Sequence, residues 1–160
     1  MYKRNRAGGQ RELMANSSMR GSEKFSGIRG DVTFKQLRNG VLVTAEISGL
    51  PNNTDKCDNG VFGFHIHEGT DCGGNEKDPF VNAKMHYNPS GCPHPFHAGD
   101  LPPLFGNNGF AYMSVFTNRF KLEDVIGRVV IIHSKPDDFT TQPSGNSGTK
   151  IACGKIVRVN

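Results

Sequence analysis

Residues 30–48 read GDVTFKQLRNGVLVTAEIS, and apolar and polar side chains alternate on both sides of an Asn-Gly pair. In residues 41–48 one face of an extended chain carries Val, Val, Ala and Ile, and the other carries Leu, Thr, Glu and Ser. A period of two is typical of a half-buried β-strand. Asn39-Gly40 is a strong signal for a tight turn between antiparallel strands. The stretch therefore predicts a β-hairpin with one buried face.

Further short strands are predicted over residues 61–67, 110–116, 128–133 and 150–159, with a single helical turn at 122–126. Short strands separated by Gly, Asn and Pro turns are typical of an antiparallel sandwich or barrel, so the predicted fold class is all-β. Two long segments, 68–104 and 134–149, lack this pattern. Irregular segments of this length in a compact domain are usually functional or held in place by something.

The length of 160 residues predicts one domain, and no apolar run approaches the about 18 residues that a membrane span needs. The net charge is +4, of which the first 30 residues contribute +5 through seven basic and two acidic side chains and the other residues contribute −1. A basic tail beside a nearly neutral body argues against a nucleic-acid partner. We predict a flexible basic lead-in over residues 1–25 and a single domain over residues 26–160. The lead-in lacks the apolar stretch of a signal peptide, so we expect a cytoplasmic protein unless a leader has been removed.

The six histidines all lie on or beside the two irregular segments. His65 and His67 are two residues apart on a predicted strand, so both side chains project from one face. The other four, and one aspartate that follows three of them, lie in the first segment or at the start of the second: His86, His94, His97, Asp100 and His133. Each short motif is weak alone, but a random distribution would leave some histidine elsewhere. The clustering predicts metal binding.

The residue types indicate which metals would bind. Three imidazoles and one carboxylate from a single loop suit a closed tetrahedral zinc site, which is structural in type. Imidazoles carried by two rigid strands suit copper, which in its cupric state prefers tetragonal nitrogen ligation. Six histidines and one aspartate give seven donors, whereas two four-coordinate ions need eight. Either one ligand is shared, since an imidazole can bridge two metals, or one site stays open.

Five segments carry a resemblance to a known family: GFHIHEG (63–69), HYNP (86–89), HAGDLPPL (97–104), IIHSKPDD (131–138) and GNSGTKIACGKI (145–156). In this order they resemble copper–zinc superoxide dismutase, in its bacterial form, over about four-fifths of the chain. The resemblance implies an eight-stranded Greek-key β-barrel with two long functional loops. It also implies an enzyme that converts two superoxide anions and two protons to oxygen and hydrogen peroxide, with copper and zinc as cofactors.

The resemblance also implies roles for individual residues. Copper is assigned to His65, His67, His86 and His133, and zinc to His86, His94, His97 and Asp100. His86 is then the bridging ligand and a catalytic residue that exchanges a proton. Asp137 matches the aspartate that links a copper histidine to a zinc histidine.

Lys150 stands where the family usually has the arginine of its active site. The positive charge is kept, but the planar fork that holds an anion by two bonds is lost. We therefore expect Lys150 to contribute to catalysis with weaker anion capture. The alternative is that Lys150 is only a surface charge.

The resemblance implies a disulfide between Cys72 and Cys153. Cys57 and Cys92 then form a hypothetical second pair, with two free thiols, or Cys92 as a metal ligand, as the alternatives. The family's first strand is not recognisable in residues 1–25.

Two functions of other classes stay open besides the enzyme. One is a zinc-stabilised barrel that binds copper poorly and serves as a metal buffer or scaffold. The other is a zinc hydrolase, which would need an open zinc site and a general base such as Glu68. The chain is expected to be a monomer or a homodimer, with superoxide as the small anionic substrate of the enzyme.

Overall fold

The computed structural model describes residues 13–52 and 60–159. These residues form nine strands: β1 (Met14–Gly21), β2 (Arg29–Leu37), β3 (Gly40–Ser48), β4 (Val61–Phe62), β5 (Phe64–His67), β6 (Leu104–Phe105), β7 (Ala111–Thr117), β8 (Val129–His133) and β9 (Lys150–Val159). The helical elements are the single turn α1 (Leu122–Val125) and two 3-10 turns, Glu23–Phe25 and Val81–Ala83. The all-β prediction is confirmed. Within the described residues, no helix is long and apolar enough to cross a membrane.

Seven strands form one antiparallel sheet in the order β5-β8-β9-β1-β2-β3-β7, and β4 and β6 form a small second sheet. Several neighbours in the large sheet, such as β5 and β8, are far apart in the sequence, as a Greek-key connection requires. The run from β4 to β5 changes sheets at Gly63, because Phe62 pairs with Leu104 and Phe64 pairs with Ile132. Counted as one bent strand, β4 and β5 give the eight strands of the expected barrel.

The β2–β3 hairpin forms as predicted, but its turn lies one residue earlier. Leu37 pairs with Gly40, so the two-residue turn is Arg38-Asn39 and Gly40 is the first residue of β3. A side chain at position 40 would collide with the carbonyl oxygen of Thr117. The glycine is therefore required by close packing against β7 and not by the turn.

The prediction of a flexible lead-in over residues 1–25 is wrong for its second half. β1 pairs with β2 on one side and with β9 on the other, so it lies in the interior of the large sheet. Ala15, Ser17 and Met19 are buried on its inner face. A serine at an inner position leaves only two apolar residues in the alternating pattern, and the period of two was too weak to recognise. Residues 1–12 of the predicted lead-in lie outside the described residues.

The main core fills the space inside the curved sheet, with Phe34, Phe64 and Leu104 among its fully buried side chains. A second, smaller apolar cluster lies on the outer face of β8 and β9: Phe80, Ala83, Val129, Ile131 and Cys153. Every residue of β8 is therefore buried, which explains its uninterrupted aliphatic run. The first loop (residues 68–103) covers this outer face of β8 and β9, and the second loop (residues 134–149) follows β8.

Candidate metal centre

β5 is an edge strand of the large sheet, and the first loop covers this edge with backbone hydrogen bonds. The Ile66 amide donates to the Gly99 carbonyl oxygen at 2.9 Å, and the Ile66 carbonyl accepts from the Tyr87 amide at 2.8 Å. A side chain at position 99 would collide with the Ile66 carbonyl oxygen, so this approach requires glycine. The same pairing sets residues of the loop opposite residues of the strand, namely His86 opposite His67 and Asp100 opposite His65.

Four buried histidines form the first donor group: His65, His67, His86 and His133. Each offers one ring nitrogen, and the four nitrogens lie within 4.8 Å of one another. The Nε2 atoms of His67 and His133 are 3.2 Å apart. Both strands that carry these rings, β5 and β8, are paired with each other, so the sheet itself fixes the spacing.

The second donor group is His86, His94, His97 and Asp100, whose ligand atoms also lie within 4.8 Å of one another. The Asp100 carboxylate is 2.8 Å from Nδ1 of His86, 3.1 Å from Nδ1 of His94 and 3.3 Å from Nδ1 of His97. Burial alone would raise the pKa of Asp100, but the hydrogen bond and charge of His86 lower it below its usual value. Asp100 is therefore a carboxylate, the form that binds a cation.

His86 belongs to both groups through different atoms of one ring. Its Nδ1 faces Asp100 in the second group, while its buried Nε2 has no hydrogen-bond partner among the described residues. Buried polar atoms without partners are rare. Nδ1 of His65 and Nδ1 of His94 are also buried without a hydrogen-bond partner among the described residues. Metal ions on the two sides of His86 would supply the missing partners. The donor set therefore fits two closely spaced ions that share one ligand, His86.

Asp137 connects the two groups. Nε2 of His65 donates to one of its carboxylate oxygens at 2.7 Å, and Nε2 of His94 donates to the other at 2.8 Å. Burial raises the pKa of Asp137, but these two hydrogen bonds and one from the Phe139 amide lower it far below its usual value. Each ring is thereby turned so that its Nδ1 points into a donor group. Gly145 packs directly against this contact, where a side chain would collide with the Asp137 carboxylate.

Four of the rings have a lowered pKa: His65, His67, His97 and His133. Burial lowers the pKa of His65 to about 4. Burial and the neighbouring rings hold the pKa of His67 and of His133 well below the usual value, and burial also lowers the pKa of His97. A neutral imidazole is the form that binds a metal, so the site needs no proton release from these rings on loading.

A family model for copper/zinc superoxide dismutase matches residues 28–156. The chain belongs to the copper/zinc superoxide dismutase family. The Cu-Zn superoxide dismutase of Legionella pneumophila is 36% identical over 135 residues, covering 79% of this chain and 76% of that protein. The one of Photobacterium leiognathi is 34% identical over 141 residues, covering 79% of this chain and 78% of that protein. A solved structure, the Cu/Zn superoxide dismutase from Brucella abortus, matches with a TM-score of 0.73 and 25% identity, covering 89% of this chain and 98% of that chain. The predicted family, its bacterial form and the barrel fold are confirmed.

A cleft of about 330 Å³ opens onto the first donor group, and we call it the metal cleft. His67, His86 and His133 lie at its base, and Lys150 lies in its wall. The half-buried Lys150 ammonium is 2.5 Å from a carboxylate oxygen of Asp78. Asp78 carries no signal in the sequence, because nothing in the spacing of the two residues along the chain indicates the contact.

The disulfide between Cys72 and Cys153 is present, as the family resemblance implied. It ties the first loop to β9, three residues after Lys150. Cys57 lies outside the described residues, so the Cys57–Cys92 pair stays a prediction. Cys92 is half-buried, has no disulfide partner in the described part of the chain, and belongs to neither donor group.

Two further residues of this family member support the second donor group. The Gln142 side chain accepts from the His94 amide at 2.9 Å and donates to the His94 carbonyl at 2.7 Å. The Arg119 guanidinium donates to the Pro95 carbonyl at 2.9 Å, and is 3.4 Å from the carbonyl oxygens of His97 and Asp100. Both act on backbone atoms of a distant segment, a contact for which the sequence carries no signal.

Glu68, the base that a zinc hydrolase would need, is exposed to solvent and belongs to neither donor group. The second donor group already supplies four ligands, so it leaves no open position for a water. The geometry therefore gives no support to the hydrolase alternative.

Proposed function

We propose that the chain is a superoxide dismutase, which converts two superoxide anions and two protons to one oxygen and one hydrogen peroxide molecule. The observation that carries the proposal is the position of His86, a single buried ring whose two nitrogens face two separate groups of four donors. Membership of the copper/zinc superoxide dismutase family supports the same conclusion. Superoxide is small and anionic, which fits a narrow cleft with a lysine in its wall.

The first donor group would hold copper, and the second would hold zinc. Four imidazoles, three of them on the paired strands β5 and β8, suit cupric ion, whereas three imidazoles and a carboxylate suit a closed zinc site. Copper, when bound, supplies the alternating one-electron oxidation and reduction that dismutation requires.

The protein's own residues have three tasks in this proposal. His86 Nε2, which is buried and has no partner among the described residues, is the atom that holds a proton for the reduced oxygen, while Nδ1 stays fixed beside Asp100. Asp137 keeps the rings of His65 and His94 in the orientation that ligation needs. Lys150 attracts the anion to the cleft. Its compact charge stands where an arginine could bind the anion by two hydrogen bonds.

Metal analysis of the purified chain, combined with a superoxide-decay assay before and after copper loading, tests the proposal. We expect about one copper and one zinc per chain, with activity that a copper chelator removes. His67→Ala is the matched variant, because it removes a donor of the first group only and should keep zinc while losing activity. One zinc, no stable copper and no activity after loading would instead identify a zinc-stabilised barrel without enzymatic function.

The oligomeric state stays a prediction of a monomer or a homodimer. Light scattering on the purified, metal-loaded chain measures it directly.

A further inference from the structure

The metal cleft contains one carboxylate where an anion must enter. The described residues that line it include three lysines, Lys77, Lys84 and Lys150, and a single acidic residue, Asp78. Lys77 and Lys84 are exposed at the rim, whereas Lys150 lies deeper in the wall and is half-buried. The one carboxylate is therefore placed against the least exposed of the three lysines, and not against an exposed one.

The ion pair is held firmly on the carboxylate side. One oxygen of Asp78 contacts the Lys150 ammonium at 2.5 Å, and the other accepts from the Phe80 amide at 3.0 Å. The backbone of Asp78 bonds to Asn75 twice, since its amide donates to the Asn75 side chain at 3.0 Å and its carbonyl accepts from the Asn75 amide at 2.9 Å. The carboxylate is thus fixed at both oxygens within a closed turn.

Both partners are anchored to the same covalent frame. Lys150 begins β9, and Cys153 on that strand bonds to Cys72 of the loop that carries Asp78. Phe80 packs against Cys153 in the outer apolar cluster. The side chains of Lys150 and Asp78 are 15% and 35% exposed, so solvent screens this pair less than a surface pair.

We propose that Asp78 is a positioning residue that holds the Lys150 ammonium in the cleft wall and, by partly neutralising it, sets the affinity of the cleft for anions. A lysine stem is flexible and lacks the planar fork of arginine, so a fixed carboxylate is needed to define where its charge lies. The same contact reduces the field that an entering anion meets. The proposal rests on the proposed function, because it takes Lys150 as the cation that attracts superoxide.

Asp78→Asn removes the negative charge and keeps the shape of the side chain. Its single amide oxygen can still accept from the Phe80 amide, while the amide nitrogen takes the place of the oxygen that contacts Lys150. Glu76→Gln is the matched control, because it removes the same charge from the same turn at an exposed position outside the metal cleft. Azide serves as the probe anion, and its dissociation constant is measured by optical titration of the copper- and zinc-loaded protein.

Asp78→Asn is expected to bind azide about three- to tenfold more tightly than the unchanged protein, whereas Glu76→Gln changes the affinity less than about twofold. The superoxide rate of Asp78→Asn should also fall more steeply as salt is added. Unchanged or weaker azide binding in Asp78→Asn, or an equal effect in Glu76→Gln, overturns the proposal. If Asp78→Asn fails to fold, Asp78→Ser makes the same charge change with a hydroxyl that can accept from Phe80, and the same outcomes decide. Failure of the unchanged protein to retain copper would overturn the proposed function instead.

Discussion

At the scale of single residues, the second donor group, which is proposed to bind zinc, depends on side chains that do not belong to it. Gln142 holds the backbone of His94 by two hydrogen bonds from the second loop, although its own side chain is otherwise exposed. Asp137 holds the His94 ring from the same loop. The second loop therefore contacts both the backbone and the ring of His94, a proposed zinc ligand.

Gln142→Ala removes both of these hydrogen bonds. We expect zinc affinity to fall about tenfold, the lower end of the range for residues that orient a ligand. Competition with a chromophoric chelator measures the affinity. Thr140→Ala is the control, because Thr140 lies in the same loop and bonds only to Asp138 in the described contacts. Equal zinc affinity in the Gln142 variant and the control would show that the contact with His94 has no influence on the metal.

The buried histidines give the metal-free chain a specific pH dependence. The pKa of His65 is lowered to about 4, so the unfolded chain binds this proton more strongly than the folded chain does. The stability from His65 is complete above about pH 6.5 and is lost as the pH falls toward 4, by at most about 3 kcal/mol for this ring alone. Urea unfolding of the metal-free chain between about pH 7.5 and 5 checks the direction. A free energy of unfolding that stays constant over this interval would contradict the prediction.

At the scale of elements, the first loop is held to the barrel in three ways. Backbone bonds join it to β5, the outer apolar cluster packs it on β8, and the disulfide from Cys72 to Cys153 ties it to β9. The disulfide spans 81 residues of sequence, so it restricts the unfolded chain strongly.

Replacing Cys72 and Cys153 together by serine is expected to lower the free energy of unfolding by about 2–4 kcal/mol, because the unfolded chain regains the freedom of a long loop. Denaturant unfolding of the oxidised chain and of the double variant, both loaded with metal, gives the difference. Identical midpoints in denaturant would mean that the loop is held by its other contacts alone.

A strand could be predicted from the sequence where its alternation of apolar and polar residues arises from local geometry, and not where tertiary contacts determine its residues. β3 and β5 were recognisable because an inner apolar face alternates with other residues, and this face follows from local geometry. β1 was missed because Ser17 occupies an inner position, where neighbours supplied by β2 and β9 decide what fits. The hairpin turn was misplaced because Gly40 is required by contact with Thr117. Patterns created by tertiary contact are not visible in the local sequence.

At the scale of the whole molecule, the two loops meet over β5 and β8 through the proposed metal ligands. All the proposed ligands are buried, and three of their ring nitrogens that point into the donor groups lack a partner within the described chain: His65, His86 and His94. Without metals these buried nitrogens have neither a hydrogen bond nor a metal contact, so the closed arrangement of the loops is less stable.

Removal of both metals with a chelator is expected to lower the melting temperature by about 10 °C or more, since ligands that bind only the folded chain stabilise it. Limited proteolysis of the metal-free chain should cut first within residues 68–103. Adding zinc alone should restore most of the lost stability, which serves as the control. A melting temperature that does not change on metal removal would contradict this account of the loops.

The donors of the site were recognisable in the sequence, whereas their supports were not. Histidines are uncommon enough for their clustering to be visible, and the count of seven donors left either a shared ligand or an open site, of which the family resemblance implied a shared His86. Gln142, Arg119 and Asp78 are ordinary polar residues whose importance lies in one contact across the fold. Such contacts can be identified only from the three-dimensional positions of the loops.

We propose that one imidazole, that of His86, is shared by copper and zinc. Anomalous diffraction from crystals of the copper- and zinc-loaded chain, recorded at both absorption edges, tests this sharing directly. We expect a copper peak beside Nε2 of His86 and a zinc peak beside Nδ1 of the same ring. A single metal peak, or two peaks of which one does not adjoin His86, would contradict it.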